Sequence, residues 1–422
     1  MPSPSPAEPD VVDLLQLAAI LALIILLLRR RWDLGLVLLL AAAATGLLFG
    51  LVGSGVQDPA NVAWDLTRAA AGAAVAPLTL RLVAIVLLIT FLGEMLRSTL
   101  QMEGLIHSLG NLFADARWLL ALMPMLIGML PMVGGAMFSA PMVGEASRDL
   151  DVSRERRTFL NYWFRHALEP VFPLYPSLVL AAGLMGVSVQ ALTVTQWPLF
   201  AAALAGGLLF GLVGIHRALA PEGGRPDGKD TLLLLGRSIW PILMVLALSI
   251  LAGLDLILAL VATVLALIVV HRLGPAQLWS LARKTPIGTV PIIIGAMVFR
   301  QVLETSHAVE AISASLSGFG IPLAIIVFTV PLIAGLLTGL LVAALAIGLP
   351  IVLPLAGPDA VANGYGLLAY AGGFTGMMLS PMHLCLSLTR VYFKAEWGGI
   401  YQRLVPAVSF LALTAGVILL VR

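Results

Sequence analysis

The sequence Gly128-Met-Leu-Pro131-Met-Val-Gly134-Gly135 interrupts the apolar run from Trp118 to Ser147 near its middle. A straight membrane span needs about 20 apolar residues, and this run is longer and contains the residue types that break helices. We expect it to form two short helices joined by a tight turn. The run from Ile321 to Leu355 has the same form around Gly335-Leu-Leu-Thr338-Gly339. Both runs are predicted to be re-entrant hairpins, which enter the membrane and leave it on the same side.

The remaining apolar stretches are predicted to form ten membrane spans. They lie at 11-29, 34-54, 71-96, 158-186, 195-215, 231-252, 254-271, 286-304, 360-389 and 399-421. With these spans and two hairpins, all but five of the 24 Lys and Arg residues fall on one face. The exceptions are Arg68, Arg81, Arg165, Arg300 and Arg422. Short basic loops remain cytoplasmic, so both termini are predicted to be outside.

The composition excludes a soluble protein. Hydrophobic residues make up 60% of the 422 positions and charged residues 11%, which is more apolar surface than a soluble fold could bury. We therefore predict an all-helical, polytopic protein of the lipid bilayer. The formal net charge of +2 gives no indication of a nucleic-acid partner. The single cysteine, Cys385, excludes an internal disulfide, and no cluster of residues has the spacing of a zinc site, so no cofactor is expected.

The chain is predicted to contain two halves of the same design. An offset of 207 residues aligns Leu96 to Ala140 with Leu303 to Ile347 and pairs Gly128 with Gly335. The predicted segments are a disordered leader at 1-10, a first repeat at 11-215, a cytoplasmic linker at 216-230 and a second repeat at 231-422. Each repeat has five spans and one hairpin, and because five is odd the repeats are predicted to be inverted. Inverted repeats with broken helices are typical of secondary transporters with a site near the midplane.

The stretch from Pro131 to Ala146, with Tyr162-Trp-Phe-Arg-His166 and Glu169-Pro170, resembles a prokaryotic integral-membrane family, domain-of-unknown-function family 401. That family is similar to the ion-transporter superfamily, which includes gluconate permeases, citrate and dicarboxylate carriers and arsenite permeases. The resemblance implies a homodimer in the cytoplasmic (inner) membrane, with a transport subdomain of two hairpins and two broken helices that moves like an elevator. The Ser-Asn-Thr hairpin signature of sodium-coupled dicarboxylate carriers is replaced by Pro131 to Gly135, which argues against sodium coupling.

The hairpins supply the first candidate binding residues. These are Gly134, Gly135 and Ser139 in the first hairpin and Thr338 and Gly339 in the second. Glycine lets the backbone turn and present N–H groups, and half-helix N-termini at the midplane favour an anion. The alternative is that the small residues only let helices pack closely.

The broken span at 158-186 has the richest chemistry. Arg165, His166 and Glu169 precede Pro170, which cannot continue a regular helix. Intramembrane ionisable groups indicate function, so Glu169 or His166 could carry a coupling proton while Arg165 faces an anionic substrate. Alternatively, Arg165 and Glu169 are four residues apart and could form a purely structural pair. Tyr175 and Ser177 would add neutral hydrogen bonds.

The matching break in the second half offers three further candidates, and other positions offer weaker ones. The three are Thr375, Ser380 and His383, although a histidine here could also be a buried core residue. The soft atoms of Met377, Met378, Met382 and Cys385 could suit Cu(I) or arsenite. Methionine is more often a gap filler. Arg81, about ten residues into its span, is a candidate for a polar path.

We expect a proton-coupled secondary transporter for a small organic anion, working by alternating access about a central site. A sodium/proton antiporter and an inorganic oxyanion or arsenite permease of the same fold remain alternatives, as does a passive channel. The sequence has no phosphate-binding Gly-rich loop with Lys, no HExxH and no GxSxG, so an ATP-driven pump and an intramembrane enzyme are not expected.

The span assignment predicts that the segment around Arg154 is cytoplasmic. A cysteine introduced beside Arg154, in a variant whose Cys385 is serine, should react with a membrane-impermeant maleimide only after the cells are permeabilised, because basic loops stay inside. Labelling of this position in intact cells would contradict the whole arrangement of spans and hairpins.

Overall fold

All secondary structure in the described part of the chain is helical. The computed structural model describes residues 11–52, 59–99, 116–129, 135–215, 228–318 and 321–421. The all-helical class predicted from the sequence is therefore confirmed for these residues. The predicted leader, Gly134 and most of the predicted linker lie outside them.

Ten helices lie in the described residues before 216. They are α1 Val11–Arg29, α2 Leu34–Thr45, α3 Pro59–Ala74, α4 Pro77–Ser98, α5 Ala116–Gly128, α6 Ala136–Ala146, α7 Arg154–Ala167, α8 Pro176–Leu184, α9 Val189–Thr195 and α10 Trp197–Gly207. A π-helical segment follows α2 at Gly46–Val52, and another follows α10 at Leu208–Leu212.

Ten more helices lie in the described residues from 228 onward. They are α11 Gly228–Leu246, α12 Leu256–His271, α13 Pro275–Lys284, α14 Thr289–Thr305, α15 Ala308–Gly318, α16 Leu323–Thr338, α17 Leu341–Leu355, α18 Tyr365–Leu379, α19 Leu384–Phe393 and α20 Trp397–Val421. A π-helical segment, Ala247–Leu251, follows α11.

Several helices are apolar enough for a membrane protein. Three helical segments have the length and hydropathy of a span: α1 at Val11–Arg29, α3 together with α4 at Pro59–Ser98, and α20 at Trp397–Val421. Two bent pairs, α8 with α9 and α13 with α14, would raise the number to five. Shorter apolar helices account for much of the remaining chain. The structure is compatible with a polytopic membrane protein, while the number of ten spans stays a prediction.

Short helices occur where the sequence predicts interruptions. In the second predicted hairpin, α16 ends at Thr338, Gly339 has φ +67°, and α17 begins at Leu341, which matches helix, tight turn and helix. In the first, α5 ends at Gly128 and α6 begins at Ala136. The turn residues 130–134 lie outside the described ranges.

The two predicted broken spans are also each made of two helices. The segment between α7 and α8 contains Pro170 and Pro173, and proline cannot donate the backbone hydrogen bond that a continuing helix needs. The segment Ser380 to His383 separates α18 from α19 and contains Pro381. Each half of the chain thus has a helix break just after a pair of short apolar helices.

Helices of the first half pack against helices of the second half in a reciprocal pattern. Helix α14 packs on α2 and α3, whereas α4 packs on α12 and α13. Helix α17 packs on α8, whereas α6 packs on α19. Within each half, the first hairpin helix packs on the helix before the break: α5 on α7, and α16 on α18.

Glycines allow these hairpin helices to approach their neighbours closely. A Cβ added at Gly128 would lie 2.2 Å from the carbonyl oxygen of Arg165, and one at Gly335 would lie 2.6 Å from that of Gly373. The two contacts are equivalent in the two halves. Gly335 lies 207 positions after Gly128, and Gly373 lies 208 positions after Arg165, so both members of the contact follow the offset that aligns the sequences. Close packing of the helices therefore requires glycine at both positions.

Arg81, a candidate for a polar path, forms an ion pair. Its guanidinium contacts the carboxylate of Asp255. That carboxylate also caps α12 by accepting from the backbone N–H of Ile257 at 2.9 Å. This pair links α4 to α12 across the two halves.

Candidate functional site

The two helix breaks meet at a pair of buried histidines. His166 lies in the last turn of α7, and His383 is the residue before α19. Their Nε2 atoms are 3.1 Å apart, and each residue is only 6% exposed. The ring of Tyr162 packs against both imidazoles, with ring centroids 5.1 Å and 5.3 Å away. Residues far apart in sequence thus form one buried polar centre.

The turn of the second hairpin fixes the orientation of His383. Its Nδ1 lies 2.6 Å from the carbonyl oxygen of Gly339. A carbonyl oxygen can only accept, so Nδ1 carries the hydrogen and, in the neutral ring, Nε2 presents a lone pair to His166. Gly339 lies so close that an added Cβ would be 2.7 Å from the backbone nitrogen of His383.

Glu169 extends the polar chain beyond His166. Its Oε2 is 3.3 Å from Nδ1 of His166, and its Oε1 accepts a hydrogen bond from the hydroxyl of Ser177 at 3.2 Å. Tyr370 donates to the backbone carbonyl of Glu169 at 3.0 Å. The carboxylate is 7% exposed, so its partners are protein groups rather than bulk water.

Arg165 joins the first break to the first hairpin. Its Nη1 donates to the carbonyl oxygen of Ile127 at 3.2 Å, and its guanidinium occupies the space where a Cβ of Gly135 would lie, 2.5 Å from Nη2. The carboxylate of Glu169 contacts His166, and Arg165, four residues before Glu169, acts on it electrostatically, so both interpretations of Arg165 remain open.

Four half-helices begin around this centre without a side-chain cap. They are α6, α8, α17 and α19, whose preceding residues are Gly135, Tyr175, Leu340 and His383. The N-terminus of a helix carries partial positive charge and N–H groups with no partner in the helix. Together with Arg165, these termini make the junction electropositive, apart from the carboxylate of Glu169.

The remaining predicted site residues differ in the hydrogen bonds that their hydroxyl groups make. Ser139 is buried and donates within α6 to Ala136, and Thr338 donates within α16 to Ala334. Ser380 donates to the carbonyl oxygen of Leu336 at 2.6 Å, which joins the second break to the second hairpin. Thr375 is buried, and its hydroxyl makes no hydrogen bond within the described residues.

Tyr162, Tyr370 and Asn161 are site residues that the sequence analysis missed. Tyr162 donates to the carbonyl oxygen of Met378 at 3.1 Å near the second break. Asn161 donates to the hydroxyl of Thr389 at 3.0 Å. Tyr162 precedes His166 by one helical turn, and this spacing could have identified it as a site residue. The sequence contains no such indication for Tyr370, because its partner is a backbone atom about 200 residues away.

The sulfur-containing residues predicted near the second break are not all buried at the site. Met377 and Met378 are buried, but Met382 is 63% exposed. One ligand atom from each of His166, His383 and Cys385 lies within 4.8 Å of the others, a combination that the sequence did not bring together. The guanidinium of Arg165 interacts electrostatically with Cys385 and His166, and a positive charge so close disfavours a resident metal cation.

The chain matches a family model described as "Protein of unknown function (DUF401)" over residues 70–421. The chain belongs to this family. The resemblance stated from the residues around Pro131 and His166 is therefore confirmed at the level of the family. Comparison with curated proteins finds no match.

A substitution at Gly339 tests the contact between the second hairpin and the second break. Gly339→Ala should lower the free energy of unfolding by about 1–2 kcal/mol for the left-handed conformation and by about 1–3 kcal/mol more for overpacking against His383. Chemical unfolding in detergent measures both effects together.

Gly357→Ala is the matched control. Gly357 also has a left-handed conformation, with φ +80°, but an added Cβ would meet nothing within 4 Å. Only the conformational penalty, about 1–2 kcal/mol, is expected there. Equal effects of the two substitutions would show that Gly339 does not press on His383.

Proposed function

We propose that this protein is a secondary active transporter that moves a small organic anion together with protons. One observation carries the proposal. A buried carboxylate and two histidines in contact lie beside an arginine, at a junction where four half-helices begin. The helix N-termini and Arg165 suit an anion, and the Glu169–His166–His383 chain suits a proton.

The packing pattern supports two inverted repeats. The reciprocal pairs, α14 on α2 with α4 on α12 and α17 on α8 with α6 on α19, are what a pseudo-twofold relation between the halves would produce. With an odd number of crossings in each half, that relation inverts one half in the membrane. In secondary transporters of this design, the site lies where the repeats meet. The proposed location is the cytoplasmic membrane of a prokaryote, with both termini outside.

Transport from this site requires a conformational change. The site residues are buried, so each side of the membrane must gain access in turn. Each hairpin is linked to the broken helix of its own half by the hydrogen bonds of Arg165, Ser380 and His383, and the contact of His166 with His383 joins the two breaks. This linkage favours their movement as one unit against the other helices, as in an elevator, and a homodimer would supply the fixed scaffold.

The thiol of Cys385 favours a second candidate, an arsenite or other thiophilic oxyanion permease. A thiol beside Arg165 could bind such a substrate directly. Cys385→Ser separates the candidates, because it should abolish binding of arsenite and leave binding of a carboxylate intact. Thermal-shift screening against carboxylates, sugar acids and arsenite, with the wild type and this variant, provides the comparison.

The coupling role of Glu169 gives a direct test. In proteoliposomes, Glu169→Gln should abolish accumulation of the screened anion under a pH gradient and leave exchange across the membrane partly intact, because a neutral amide cannot take up and release the proton. Glu145→Gln is the control, since Glu145 is exposed and pairs with Arg148 on the surface of α6. Normal accumulation by Glu169→Gln would remove Glu169 from the mechanism.

A further inference from the structure

Helices α2 and α14 run parallel and begin at the same end of the molecule. A Cβ added at Gly35, in the first turn of α2, would lie 2.4 Å from Cβ of Pro291, in the first turn of α14. A Cβ added at Gly46, just after α2, would lie 3.5 Å from the side chain of Val302, near the end of α14. Starts meet starts and ends meet ends, so the segments that precede the two helices lie at one end of the molecule.

These two segments, residues 29–33 and 271–288, carry a concentration of positive charge, and we call them the basic face. They contain one carboxylate, Asp33, which caps α2 by accepting from the backbone N–H of Leu36 at 3.2 Å. Their six Lys and Arg side chains are all exposed, and none of the six takes part in an ion pair among the described residues. The six are Arg29, Arg30, Arg31, Arg272, Arg283 and Lys284.

Large apolar side chains are exposed beside these charges. Trp32 is 46% exposed, Trp279 is 66% exposed and Ile287 is 65% exposed. The guanidinium of Arg283 lies over the ring of Trp279, 5.8 Å from its centroid. Tryptophan is enriched where the hydrocarbon of a membrane meets the headgroups, because its ring is apolar and its N–H is polar. The basic face thus combines cations with the side chains typical of a membrane surface.

Helix α13 turns away from the apolar helices on either side of it. It follows α12, which is apolar, and it is bent by 57° from α14. Leu281 is the buried residue of α13, whereas Trp279, Arg283 and Lys284 are exposed. A short amphipathic helix at the ends of apolar helices lies in the membrane interface, where its basic side chains reach the headgroups.

We propose that the basic face binds the headgroups of anionic phospholipids. Clusters of four to eight Lys and Arg beside a membrane span attract anionic lipid, and each charge strengthens binding about fivefold. A soluble polyanion such as a nucleic acid would neutralise the charges but leave Trp32, Trp279 and Ile287 in water. A lipid satisfies both, because it has a charged headgroup and an apolar tail. The inference concerns a surface remote from the helix breaks, so it stands whether or not the proposed function is correct.

Native mass spectrometry of the full-length protein in neutral detergent tests the proposal. The protein is titrated with phosphatidylglycerol or with phosphatidylcholine that has the same acyl chains. Phosphatidylglycerol should bind more tightly, and the difference should shrink as the ammonium acetate concentration rises, because ions screen exposed charges. Two double variants remove two charges each: Arg283→Gln with Lys284→Gln, and Arg30→Gln with Arg31→Gln. Each should weaken binding of phosphatidylglycerol about 25-fold and leave phosphatidylcholine unchanged.

Two further variants separate charge from apolar contact. Arg68→Gln with Arg148→Gln is the matched control, because it also removes two exposed arginines, both outside the basic face. It should leave the affinity for phosphatidylglycerol unchanged. Trp279→Ala should weaken the binding of both lipids, since the exposed indole contacts the part of the lipid below the headgroup.

Four results would overturn the proposal. The first is equal affinity for the two lipids, and the second is an equal loss in the control and in the basic-face variants. The third is displacement of phosphatidylglycerol by millimolar glycerol phosphate or by an oligonucleotide, which would reveal a site for soluble phosphates. The fourth is a Trp279→Ala variant that binds both lipids normally. A loss in only one of the two basic-face double variants would contradict a face shared by the two segments.

Discussion

A helix that breaks inside a hydrophobic protein must find partners for its freed backbone groups, and the structure around the site depends on this constraint. The carbonyl oxygens near the breaks and turns receive hydrogen bonds from side chains of other elements. Tyr370 donates to Glu169, Tyr162 donates to Met378, and His383 donates to Gly339. Each of these donors lies on a different helix or break from its acceptor, so the irregular backbone and the polar site stabilise one another.

The electrostatic character of the site follows from the same breaks. Each break starts a new half-helix, and each new half-helix directs its positive end towards the junction. Arg165 adds a full positive charge, and its guanidinium fits only because Gly135 has no side chain. Glu169 is the carboxylate paired with a histidine at this junction. In the proposed function, the arginine would face the anion, and the carboxylate and the two imidazoles would hold the proton.

The sequence predicted the parts of the fold that depend on local chemistry. Proline and glycine at Pro170, Pro381 and Gly339 indicated the breaks and the turn, since these residues restrict the backbone in any context. The apolar composition indicated the helical class, and the quoted residues indicated the family. The sequence could not indicate whether Glu169 would contact His166 or Arg165, because four-residue spacing predicts contact only in a continuous helix.

The sequence also could not predict contacts between residues that are far apart in the chain. The proximity of His166 to His383 depends on packing between α7 and α19, and no local pattern encodes it. Arg81 illustrates the same limit, because its partner Asp255 is 174 residues away in sequence. The offset between the halves does predict one pair of long-range contacts: the equivalent glycines Gly128 and Gly335 contact equivalent carbonyl groups.

The meeting of the two breaks is the central claim, and cross-linking tests it most directly. In a Cys385→Ser background with a protease site inserted between residues 216 and 227, cysteines replace His166 and His383, and a short bis-methanethiosulfonate reagent is added. After cleavage, the two fragments should stay joined on a non-reducing gel, whereas a pair with His166→Cys and the exposed Met382→Cys should separate. Fragments that separate for the first pair, or that join equally for both, would contradict the account.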